Sequence, residues 1–562
     1  MAYTGKEAVF QAAAILAGKG LETAVISPGS RNAPLIAAFN RQEGIRCLSI
    51  ADERVAAFFA LGIAQQTQKP VALICTSGTA GLNYAPAVAE AYYQQIPLII
   101  ITADRPPEWI DQGDGQAIRQ KDLFKNYVRK SVDLPVQVQT EADWRYHARL
   151  IHEAFDASCY PVCGPVHINA GLREPLYELD QEPVTAFPDH QLFPVRTGFD
   201  PMDIDRLADI WNSTEKKLII VGQLSPCSRL ALLFERLAQD PSVTILTETT
   251  SNLSGNFFLQ HIDRLIEGLH PAQTKDLAPQ LLVTLGGNLV SRKIKAWIQK
   301  NRPGAHWHVE AGTFHQDAFR CLTLSIPSSP LDFLRELTPR VRTNDSGYRE
   351  IWQRHATARS ERHLQFMTGC PWSDLKAFEN LLQHMPQGSI LQGGNSTPIR
   401  YLQLFPQADG TNCYGNRGTS GIDGVVSTAA GAAWAYPGLC VVITGDVAFM
   451  YDSNALWNQH LTANLRIIVM NNGGGNIFRI IDGPSTMPEL DPFIETPYIP
   501  DLRHLADMHG LTYLQAEDAT SLARILPEFL HHPYPHPAML EIKTQNKASA
   551  AVLKDYFKHI SS

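Results

Sequence analysis

The sequence predicts an α/β protein built from three doubly wound α/β domains with mostly parallel sheets. Short apolar runs of strand type alternate with helix-length segments along the whole chain, which is the pattern of doubly wound sheets. The 562 residues exceed the size of one hydrophobic core, and 44% hydrophobic with 19% charged residues is typical of a soluble globular protein. We therefore expect domains over residues 1–185, 195–345 and 370–562.

Four apolar runs in each domain are expected to form strands. Helical segments such as Val55–Gln66 separate them, and the polar stretch Asn344–Gln365 is expected to be a helix that joins the second and third domains. Residues 180–200 are rich in Pro, Asp and Gln and are predicted to be a linker. The predicted strands are Ala24–Ser27, Val71–Cys75, Leu98–Thr102 and Val166–Asn169, then Leu218–Val221, Val243–Leu246, Leu281–Leu285 and Trp307–Val309, then Ile390–Gln392, Val441–Thr444, Ile467–Met470 and Met539–Ile542.

Charge and cysteine content exclude several classes of protein. A net charge of −8 without a basic stripe or zinc-finger spacing argues against a nucleic-acid partner. The nine cysteines are scattered and odd in number, so we expect reduced thiols in a cytoplasmic protein, with Cys159 and Cys163 structural rather than metal-binding. The N-terminus lacks the layout of a secretory signal, and the most apolar segment, Ala429–Thr444, is too short to span a bilayer. No membrane anchor is expected.

The most informative motif lies in the third domain, where Asp446 and Asn472 each follow a predicted strand. Open α/β sheets place their ligands at the carboxyl ends of parallel strands. Mg²⁺ prefers oxygen ligands that it shares with phosphates, and the glycines Gly473–Gly475 let the backbone approach a diphosphate closely. A helix cap at Asp446 and a turn at Asn471–Gly473 are the ordinary alternatives for the separate pieces. Their joint spacing favours a site for thiamine diphosphate with Mg²⁺ (or Mn²⁺).

Polar and glycine-rich segments also follow the predicted strands of the first domain, and they should open onto one edge of one sheet. Glu53 is the candidate for activating the cofactor, because a carboxyl group hydrogen-bonded to the aminopyrimidine ring favours the imino tautomer that accepts the thiazolium proton. It follows the strand-like Cys47–Ile50 and opens a helix, so a glutamate stabilised by the helix N-terminus is the alternative. The segments are Ser27–Asn32, Asp52–Arg54, Thr76–Gly81 and Thr102–Pro106.

In the order and spacing of these motifs the chain resembles the 2-succinyl-5-enolpyruvyl-6-hydroxy-3-cyclohexene-1-carboxylate synthase family of menaquinone biosynthesis, a family of thiamine-diphosphate enzymes. The resemblance spans all three domains. Single motifs are moderately specific, and their combination is highly specific. The residues that carry it are Ser27–Arg31, Asp52–Arg54, Thr76–Ala80, Thr102–Pro107, Gly164–Asn169, Asn416–Gly418, Ser420–Gly424, Asp446 and Asn472–Gly474.

The resemblance implies both a reaction and an architecture. The family decarboxylates 2-oxoglutarate on thiamine diphosphate and adds the succinyl unit to isochorismate by 1,4-addition, releasing carbon dioxide. Residues 1–185 would then bind the pyrimidine of the cofactor, 195–345 would be a central Rossmann-like domain, and 370–562 would bind the diphosphate and metal. The active protein would be a homodimer or a dimer of dimers, with small-molecule substrates.

The resemblance also assigns roles to individual residues. Glu53 matches the cofactor-activating glutamate, Ile422 the apolar prop that holds the cofactor bent, and Ser420 a further cofactor contact. Asp446, Asn472 and the carbonyl of Gly474 match the metal ligands. The positions that match substrate-facing side chains are Ser30, Arg31, Arg105, Gln116, Arg292, Lys293, Asn395, Ser396, Arg400, Arg417 and Phe478.

The chain departs from the family pattern at two positions, and from the general thiamine-diphosphate pattern at a third. Ser291-Arg292-Lys293 stands where the family shows Lys-Arg, which leaves open which of the two basic residues reaches substrate. Gly115 stands where an asparagine is expected before Gln116. Val447 replaces the glycine that follows the aspartate in the general thiamine-diphosphate pattern, in agreement with the looser form of this family.

Two alternative functions remain at the level of the sequence. A keto-acid ligase or decarboxylase of acetolactate-synthase type would use pyruvate, which leaves Arg31, Arg105, Arg400 and Arg417 without carboxylates to bind, since arginine offers a planar fork to a carboxylate. A non-catalytic nucleotide-binding protein is disfavoured because no G-x-G-x-x-G fingerprint opens a helix after a strand. Preference for pyruvate over 2-oxoglutarate would favour the first alternative, and binding of NAD without thiamine diphosphate the second.

Overall fold

The computed structural model describes residues 7–177, 190–194, 198–312, 315–481 and 483–562. The chain divides into two compact units. The first is formed by Met1–Val195, Gly418–Pro437 and Tyr451–Leu465, and the second by Arg196–Arg417, Gly438–Met450 and Arg466–Ser562. Most of the linker predicted at 180–200 lies outside the described residues. The three-domain division with its bounds stays a prediction.

The first unit contains a six-stranded sheet in the order β2-β1-β3-β4-β6-β5. Its paired strands run parallel. Two 3₁₀ helices, Pro107–Trp109 and Lys125–Tyr127, follow the fourth strand. The elements in chain order are α1 (Glu7–Gly18), β1 (Thr23–Ile26), α2 (Ala33–Arg41), β2 (Arg46–Ser49), α3 (Glu53–Thr67), β3 (Val71–Cys75), α4 (Thr79–Gln94), β4 (Leu98–Asp104), β5 (Ser131–Leu134), α5 (Glu141–Cys159) and β6 (Val166–Gly171).

The second unit contains two such sheets, and the one formed first along the chain has the order β12-β11-β10-β7-β8-β9. Its elements are α6 (Pro201–Ser213), β7 (Lys217–Val221), α7 (Ser228–Leu237), β8 (Val243–Thr247), β9 (Phe258–Leu259), α8 (Ile262–Ile266), α9 (Pro271–Leu277), β10 (Leu281–Leu285), α10 (Arg292–Lys300), β11 (Ala305–Glu310), β12 (Leu324–Pro327) and α11 (Pro330–Leu337). The 3₁₀ helices are Thr249–Ser251 and Thr338–Arg340. The predicted joining helix is α12 (Tyr348–Thr368).

The last sheet has the order β14-β13-β15-β16-β18-β17. Its elements are α13 (Asp374–Gln383), β13 (Ile390–Gly393), α14 (Thr397–Leu402), β14 (Asn412–Tyr414), α15 (Val425–Ala435), β15 (Cys440–Gly445), α16 (Asp446–Tyr451), β16 (Leu465–Asn471), α17 (Ile477–Ile480), α18 (Leu502–Met508), β17 (Thr512–Ala516), α19 (Ala519–His531), β18 (Ala538–Lys543) and α20 (Asn546–Ser561). The 3₁₀ helices are Ser453–Leu456 and Pro484–Thr486, and Leu490–Ile494 is a π-helix. Helix α15 belongs to the first unit.

The three sheets follow two topologies. Numbered within each sheet, the first and last sheets share the strand order 2-1-3-4-6-5. The middle sheet, read from β9 to β12, has the Rossmann order 3-2-1-4-5-6. Strand order reverses between β1 and β3 in the first sheet and between β13 and β15 in the last. Ligands of open α/β sheets bind beside the carboxyl ends of the strands at such reversal points.

The strand sequences explain this architecture. β3, β4, β7 and β10 are buried along their whole length, as expected for parallel strands with helices on both faces. Separate apolar clusters form the cores beside the first and last sheets, and two further clusters flank the middle sheet. Each of the twelve predicted apolar runs overlaps a strand, so the predicted fold class is confirmed.

Helix α3 is central to the first unit because it carries Glu53 at its start. The Asp52 side chain caps it by accepting the N–H of Val55 at 3.1 Å. Helices α3 and α15 pack backbone to backbone: a Cβ added to Gly62 would lie 2.0 Å from the Thr428 carbonyl oxygen, and one added to Gly431 would lie 1.9 Å from that of Phe59. Glycine is required at both crossing points.

Among the described residues, no helix is long and apolar enough to cross a membrane. The nine cysteines are all free thiols. Cys75, Cys370, Cys413 and Cys440 are buried, as expected, but Cys159 is exposed. Within the described ranges, no group of three or more His, Cys, Asp or Glu side chains is arranged to hold a metal ion.

Candidate active site

Two strand ends of the last sheet meet at Asp446. This residue directly follows β15, and its side chain is buried. Its Oδ2 accepts the backbone N–H groups of Gly473 at 2.8 Å and Gly474 at 2.9 Å, just beyond the end of β16, while Oδ1 accepts that of Val447 at 2.7 Å. Burial raises the pKa of Asp446 to about 6, although the hydrogen bonds from these three N–H groups lower it. The predicted proximity of the two strand ends is confirmed.

Asn472 presents an oxygen without a partner in this loop. Its Nδ2 donates to Oδ2 of Asp374 at 2.8 Å, and its buried Oδ1 has no hydrogen-bond partner among the described residues. A buried acceptor left unpaired costs about 1–3 kcal/mol, so such an atom calls for a ligand. Amide and carboxylate oxygens are preferred ligands of Mg²⁺ and Mn²⁺. The donor set fits the metal predicted from the sequence.

Gly474 completes this loop with its backbone. Its φ is +142°, and a Cβ at this position would lie 2.7 Å from the carbonyl oxygen of Glu495, so glycine is required. Its carbonyl accepts the N–H of Asn476 at 2.9 Å and retains a second lone pair. We call Asp446, Asn472 and Gly474 the clamp.

Glu53 is half-buried at the first position of α3. Burial raises its pKa, the backbone hydrogen bond at Glu53 opposes the rise, and the Asp52 charge adds to it. The charge of Glu53 in turn contributes to the raised pKa values of Cys75 and Tyr84, so Glu53 faces the end of β3 and the helix after it. A glutamate in such surroundings holds a proton more readily than an exposed one, which suits proton exchange with a ring nitrogen.

The segment with Ser420 and Ile422 is held by Glu90 of α4. The buried Glu90 carboxylate accepts the N–H of Gly418 at 2.6 Å, the N–H of Thr419 at 2.7 Å and the hydroxyl of Thr419 at 2.6 Å. Ile422, on the same segment, is a large apolar side chain that is 36% exposed. An exposed apolar side chain on a segment that hydrogen bonds hold in place is suited to contact a ligand.

The Glu53 helix and the Ile422 segment touch within the first unit. Gly424 immediately precedes α15 at φ +71°, and a Cβ there would lie 2.1 Å from the ring of Phe58 on α3. Two residues predicted to act on the cofactor, Glu53 and Ile422, therefore lie on elements in direct contact.

Arg31 and Arg105 of the first unit are paired with carboxylates of the chain itself. Arg31 donates to the Leu172 carbonyl and to Glu174 Oε1, both at 3.0 Å. Arg105 lies 2.7 Å from a carboxylate oxygen of Asp114 and 4.0 Å from the same Glu174 oxygen. One carboxylate, Glu174, therefore lies against both arginines.

Ser30 directly precedes Arg31, and Gln116 follows Arg105 by eleven residues. The loop of Ser30 touches the loop after β3, because a Cβ on Gly29 would lie 2.4 Å from Cβ of Thr76. Gln116 lies beside that second loop, since a Cβ on Gly78 would be 3.2 Å from its Cα. Three segments thus converge at the strand-order reversal of the first sheet.

In the second unit, Arg400 and Arg417 approach the loop before α10. Arg417 donates to Asn395 Oδ1 at 2.7 Å and to the Leu289 carbonyl at 3.5 Å, and Arg400 donates to the Val290 carbonyl at 3.4 Å. The buried Glu248 carboxylate accepts the N–H groups of Val290 and Ser291 at 2.8 and 2.7 Å. This loop, residues 288–291, therefore organises both arginines.

Arg292 and Lys293 differ in their surroundings. Lys293 forms an ion pair with Glu267 and lies 3.3 Å from the ring centroid of Phe557. Arg292 is exposed, and among the described residues it has no ion pair or side-chain hydrogen bond. Both line a cavity of about 690 Å³ together with Arg400 and the apolar Ile477 and Ile480. Phe478 is half-buried on the same short helix, and Ser396 lies at φ +78° before α14.

Two thiamine pyrophosphate enzyme models match the chain. The N-terminal TPP binding domain matches residues 6–123, and the C-terminal TPP binding domain matches residues 394–542. A 2-succinyl-5-enolpyruvyl-6-hydroxy-3-cyclohexene-1-carboxylate synthase of Flavobacterium johnsoniae is 42% identical over 97% of this chain and 98% of its own. The chain belongs to this synthase family. The synthase of that name from Porphyromonas gingivalis is 37% identical over 100% of this chain and 98% of its own.

The solved structures agree on the fold. Benzoylformate decarboxylase from Polynucleobacter necessarius aligns with a TM-score of 0.73 over 97% of this chain and 99% of its own, at 16% identity. The chain is therefore a thiamine-diphosphate enzyme of the synthase family, and it shares its fold with this decarboxylase.

The predicted residues thus gather into separate groups. In the first unit Ser30, Arg31 and Arg105 lie on loops that follow strands, and Gln116 lies beside the loop after β3. Glu53, Ser420 and Ile422 lie on elements in contact with each other. In the second unit the clamp gathers at two strand ends, Arg417 bonds to Asn395, and Arg292, Lys293 and Arg400 share one cavity. The sequence did not reveal the residues that hold these groups, which are Asp374, Glu248 and Glu90. It also did not reveal Lys295, whose pKa is lowered by burial and by the charges of Arg417, Arg292 and Arg400. No local motif marks them.

Proposed function

We propose that the protein decarboxylates 2-oxoglutarate on thiamine diphosphate and adds the succinyl unit to isochorismate by 1,4-addition. The products are 2-succinyl-5-enolpyruvyl-6-hydroxy-3-cyclohexene-1-carboxylate and carbon dioxide. The name of the relatives supports the product, and the matched cofactor domains support the chemistry. The observation that carries the proposal is the buried Oδ1 of Asn472, which has no hydrogen-bond partner among the described residues. It lies on the loop whose Gly473 and Gly474 N–H groups the Asp446 carboxylate accepts.

The clamp would hold Mg²⁺ or Mn²⁺ through an Asp446 carboxylate oxygen, Asn472 Oδ1 and the Gly474 carbonyl. A metal held there would also bind the diphosphate of the cofactor. When bound, thiamine diphosphate supplies an electron sink for the carbon that loses carbon dioxide. The glycines Gly473–Gly475 let the diphosphate approach the backbone.

Glu53 would exchange a proton with the pyrimidine ring of the cofactor. Its raised pKa brings the protonated form closer to neutral pH. Ile422 would support the cofactor from the segment that Glu90 holds, and Ser420 would contact the cofactor from the same segment. Glu90 would fix both through its bonds to Gly418 and Thr419.

The arginines would bind the substrate carboxylates. 2-Oxoglutarate and isochorismate each carry two carboxylates, and the guanidinium group binds a carboxylate through two parallel hydrogen bonds. Arg31, Arg105, Arg400 and Arg417 supply four such groups. Arg292 is the fifth, because it is exposed and has no ion pair within the described ranges, whereas Lys293 is engaged by Glu267. Asn395 orients Arg417. Ser30, Gln116, Ser396 and Phe478 would contact the uncharged parts of the substrates.

We also propose a cytoplasmic homodimer or dimer of dimers, and the three domains 1–185, 195–345 and 370–562. The free thiols of all nine cysteines support a reducing compartment. The separate cores beside the three sheets support the three domains. Sedimentation velocity of the purified protein with cofactor measures the oligomeric state.

The test is reconstitution of the reaction from purified components. Protein, thiamine diphosphate, Mg²⁺, 2-oxoglutarate and isochorismate are mixed, and isochorismate loss is followed by absorbance together with the mass of the product. We expect loss that requires every component and gives the succinylated product. Carbon dioxide release from 2-oxoglutarate with intact isochorismate would show that the acceptor is wrong. Turnover of pyruvate in preference to 2-oxoglutarate would show an enzyme of acetolactate-synthase type.

A further inference from the structure

Asp374 is a fully buried carboxylate that the reaction does not use directly. It begins α13, and its two oxygens have separate roles. Oδ1 accepts the hydroxyls of Thr544, just after β18, and of Ser549, at 3.2 Å on α20. The Asp374 N–H also donates to the Ser549 hydroxyl at 3.0 Å. One side of the carboxylate is therefore anchored to two elements of the protein core.

The other oxygen faces the clamp loop. Oδ2 accepts Nδ2 of Asn472 at 2.8 Å and Nδ2 of Asn476 at 3.2 Å. Both amides are buried, and the Oδ1 atom of each lacks a hydrogen-bond partner in the described part of the chain. Asp374 thus holds two neighbouring amides by their nitrogens and leaves both oxygens available.

The chemistry of the carboxylate fixes the orientation of these amides. An ionised carboxylate only accepts hydrogen bonds, so an amide facing it must present its nitrogen. Turning the Asn472 amide over would set its oxygen against the carboxylate and would offer NH₂, which cannot bind a cation, to the metal. The Asn472 oxygen reaches the metal only while Asp374 holds the nitrogen.

We propose that Asp374 is a positioning residue that sets the amide orientation of Asn472 for metal binding and holds Asn476 in the same way. The inference rests on the proposed role of Asn472 as a metal ligand. Outer-shell groups that orient metal ligands commonly govern affinity by about 10–100-fold. Asp374 is separated from Asn472 by 98 residues of chain, so the relation is visible only in the fold.

Asp374→Asn tests the proposal with little change in shape. The introduced amide can keep its oxygen toward Thr544 and Ser549, which preserves the anchor. Its NH₂ group then meets the NH₂ groups of Asn472 and Asn476, which drives both amides to turn over. The apparent Mn²⁺ dissociation constant, measured by electron paramagnetic resonance at saturating thiamine diphosphate, is expected to rise about 10–100-fold.

Asp240→Asn is the matched control. Asp240 is also a buried carboxylate of the second unit. It is bonded to Ser242 and to the Asn344 N–H and forms an ion pair with the buried Lys217 at 3.4 Å, and none of these contacts involves a clamp residue. Its variant is expected to lower the melting temperature of the cofactor-free protein while Mn²⁺ affinity stays within about twofold. A merely structural role for Asp374 predicts equal effects of the two variants on metal affinity.

The double variant Asp374→Asn with Asn472→Asp reverses the donor and the acceptor. The amide introduced by the first substitution now donates to one oxygen of the carboxylate introduced by the second, and the other carboxylate oxygen is presented to the metal. Mn²⁺ affinity is expected to return to within about tenfold of the original protein, a rescue that general destabilisation does not give. This variant also carries the test if Asp374→Asn fails to fold.

The outcomes separate this inference from the function on which it rests. A folded Asp374→Asn protein with unchanged Mn²⁺ affinity overturns the positioning role while the proposed function stands. A folded double variant that does not bind Mn²⁺ also overturns it. Failure of the unaltered protein to bind Mn²⁺ with thiamine diphosphate would remove both the metal assignment and the inference.

Discussion

The clamp of the second unit and the arginine pair of the first unit both lie at carboxyl ends of parallel strands, but their polar groups are satisfied differently. In the clamp, Nδ2 of Asn472 donates a hydrogen bond, whereas Oδ1 of the same amide has no hydrogen-bond partner among the described residues. Arg31 instead meets Glu174 at 3.0 Å, and Arg105 meets Asp114 at 2.7 Å with Glu174 at 4.0 Å. In the proposed function, the clamp would therefore receive a cation without rearrangement, whereas a substrate carboxylate would have to displace a carboxylate of the chain.

Removal of a clamp ligand is the strongest test of this comparison. Asp446→Ala deletes the buried carboxylate that also holds the N–H groups of Gly473 and Gly474. We expect thiamine diphosphate affinity in the presence of Mg²⁺, measured by isothermal titration calorimetry, to fall by about 100-fold or more, beyond the typical effect of outer-shell changes. Asp507→Ala, on an exposed face of α18, is the control. Unchanged affinity in the Asp446 variant would contradict the clamp.

Glu53→Gln separates binding from chemistry. The amide keeps the size of the side chain but cannot exchange the proton, so kcat is expected to fall by roughly 10²–10⁴-fold. Thiamine diphosphate affinity should change only a few-fold, because the clamp is untouched. Steady-state kinetics and calorimetry on the same preparation measure both quantities. Full turnover would rule out Glu53 as the activating group.

Glu174→Gln tests whether an internal carboxylate competes with substrate at the arginine pair. The substitution removes the charge shared by Arg31 and Arg105. The Glu174 side chain is 58% exposed, so its ion pairs contribute about 0.2–1 kcal/mol, and KM for 2-oxoglutarate or isochorismate is expected to fall by up to about fivefold. Glu108→Gln, which breaks only the pair with Arg173, is the matched control. A higher KM would show that Glu174 supports the arginines rather than occupying them.

Glu248→Gln is expected to change stability rather than binding of the metal or cofactor, and it concerns the loop that organises Arg400 and Arg417. Burial raises the pKa of Glu248 from 4.5 to about 7. Between pH 4.5 and about 7 the folded protein retains a proton on Glu248 that the unfolded chain has released. The contribution of Glu248 to the free energy of unfolding therefore falls as pH rises through this range, by on the order of 1 kcal/mol per pH unit. The melting temperature of the unaltered protein relative to the variant should therefore fall from about pH 5 to about pH 7.5. A constant difference would contradict the raised pKa.

Much of the fold is predictable because the internal strands are buried on both faces. Their apolar runs are continuous, as in Val71–Cys75 and Leu281–Leu285. Five strands without a sequence prediction, β5, β9, β12, β14 and β17, all lie at sheet edges. An edge strand is less enclosed, so its pattern is weaker, as in Thr512–Ala516 with four half-buried residues. The apolar sequence pattern that predicts a strand is therefore weaker where the strand is less buried.

The candidate site divides along a similar line. Asp446 and Asn472 were predictable because each directly follows an apolar strand, and strand ends of one sheet meet at one edge. The partners of these residues were not, since Asp374 and Glu174 lie 98 and 143 residues from Asn472 and Arg31. The ion pair of Lys293 with Glu267 likewise depends on tertiary packing. Contacts across such distances follow from tertiary structure alone.

The most direct test of the account is a crystal structure with thiamine diphosphate and Mn²⁺, with the metal located by anomalous scattering. We predict one strong anomalous peak within about 2.0–2.3 Å of an Asp446 carboxylate oxygen, Asn472 Oδ1 and the Gly474 carbonyl, with diphosphate oxygens completing the shell. Asp374 Oδ2 should still accept the Asn472 amide nitrogen. A peak elsewhere, or an Asn472 amide that turns its nitrogen toward the metal, would contradict the account.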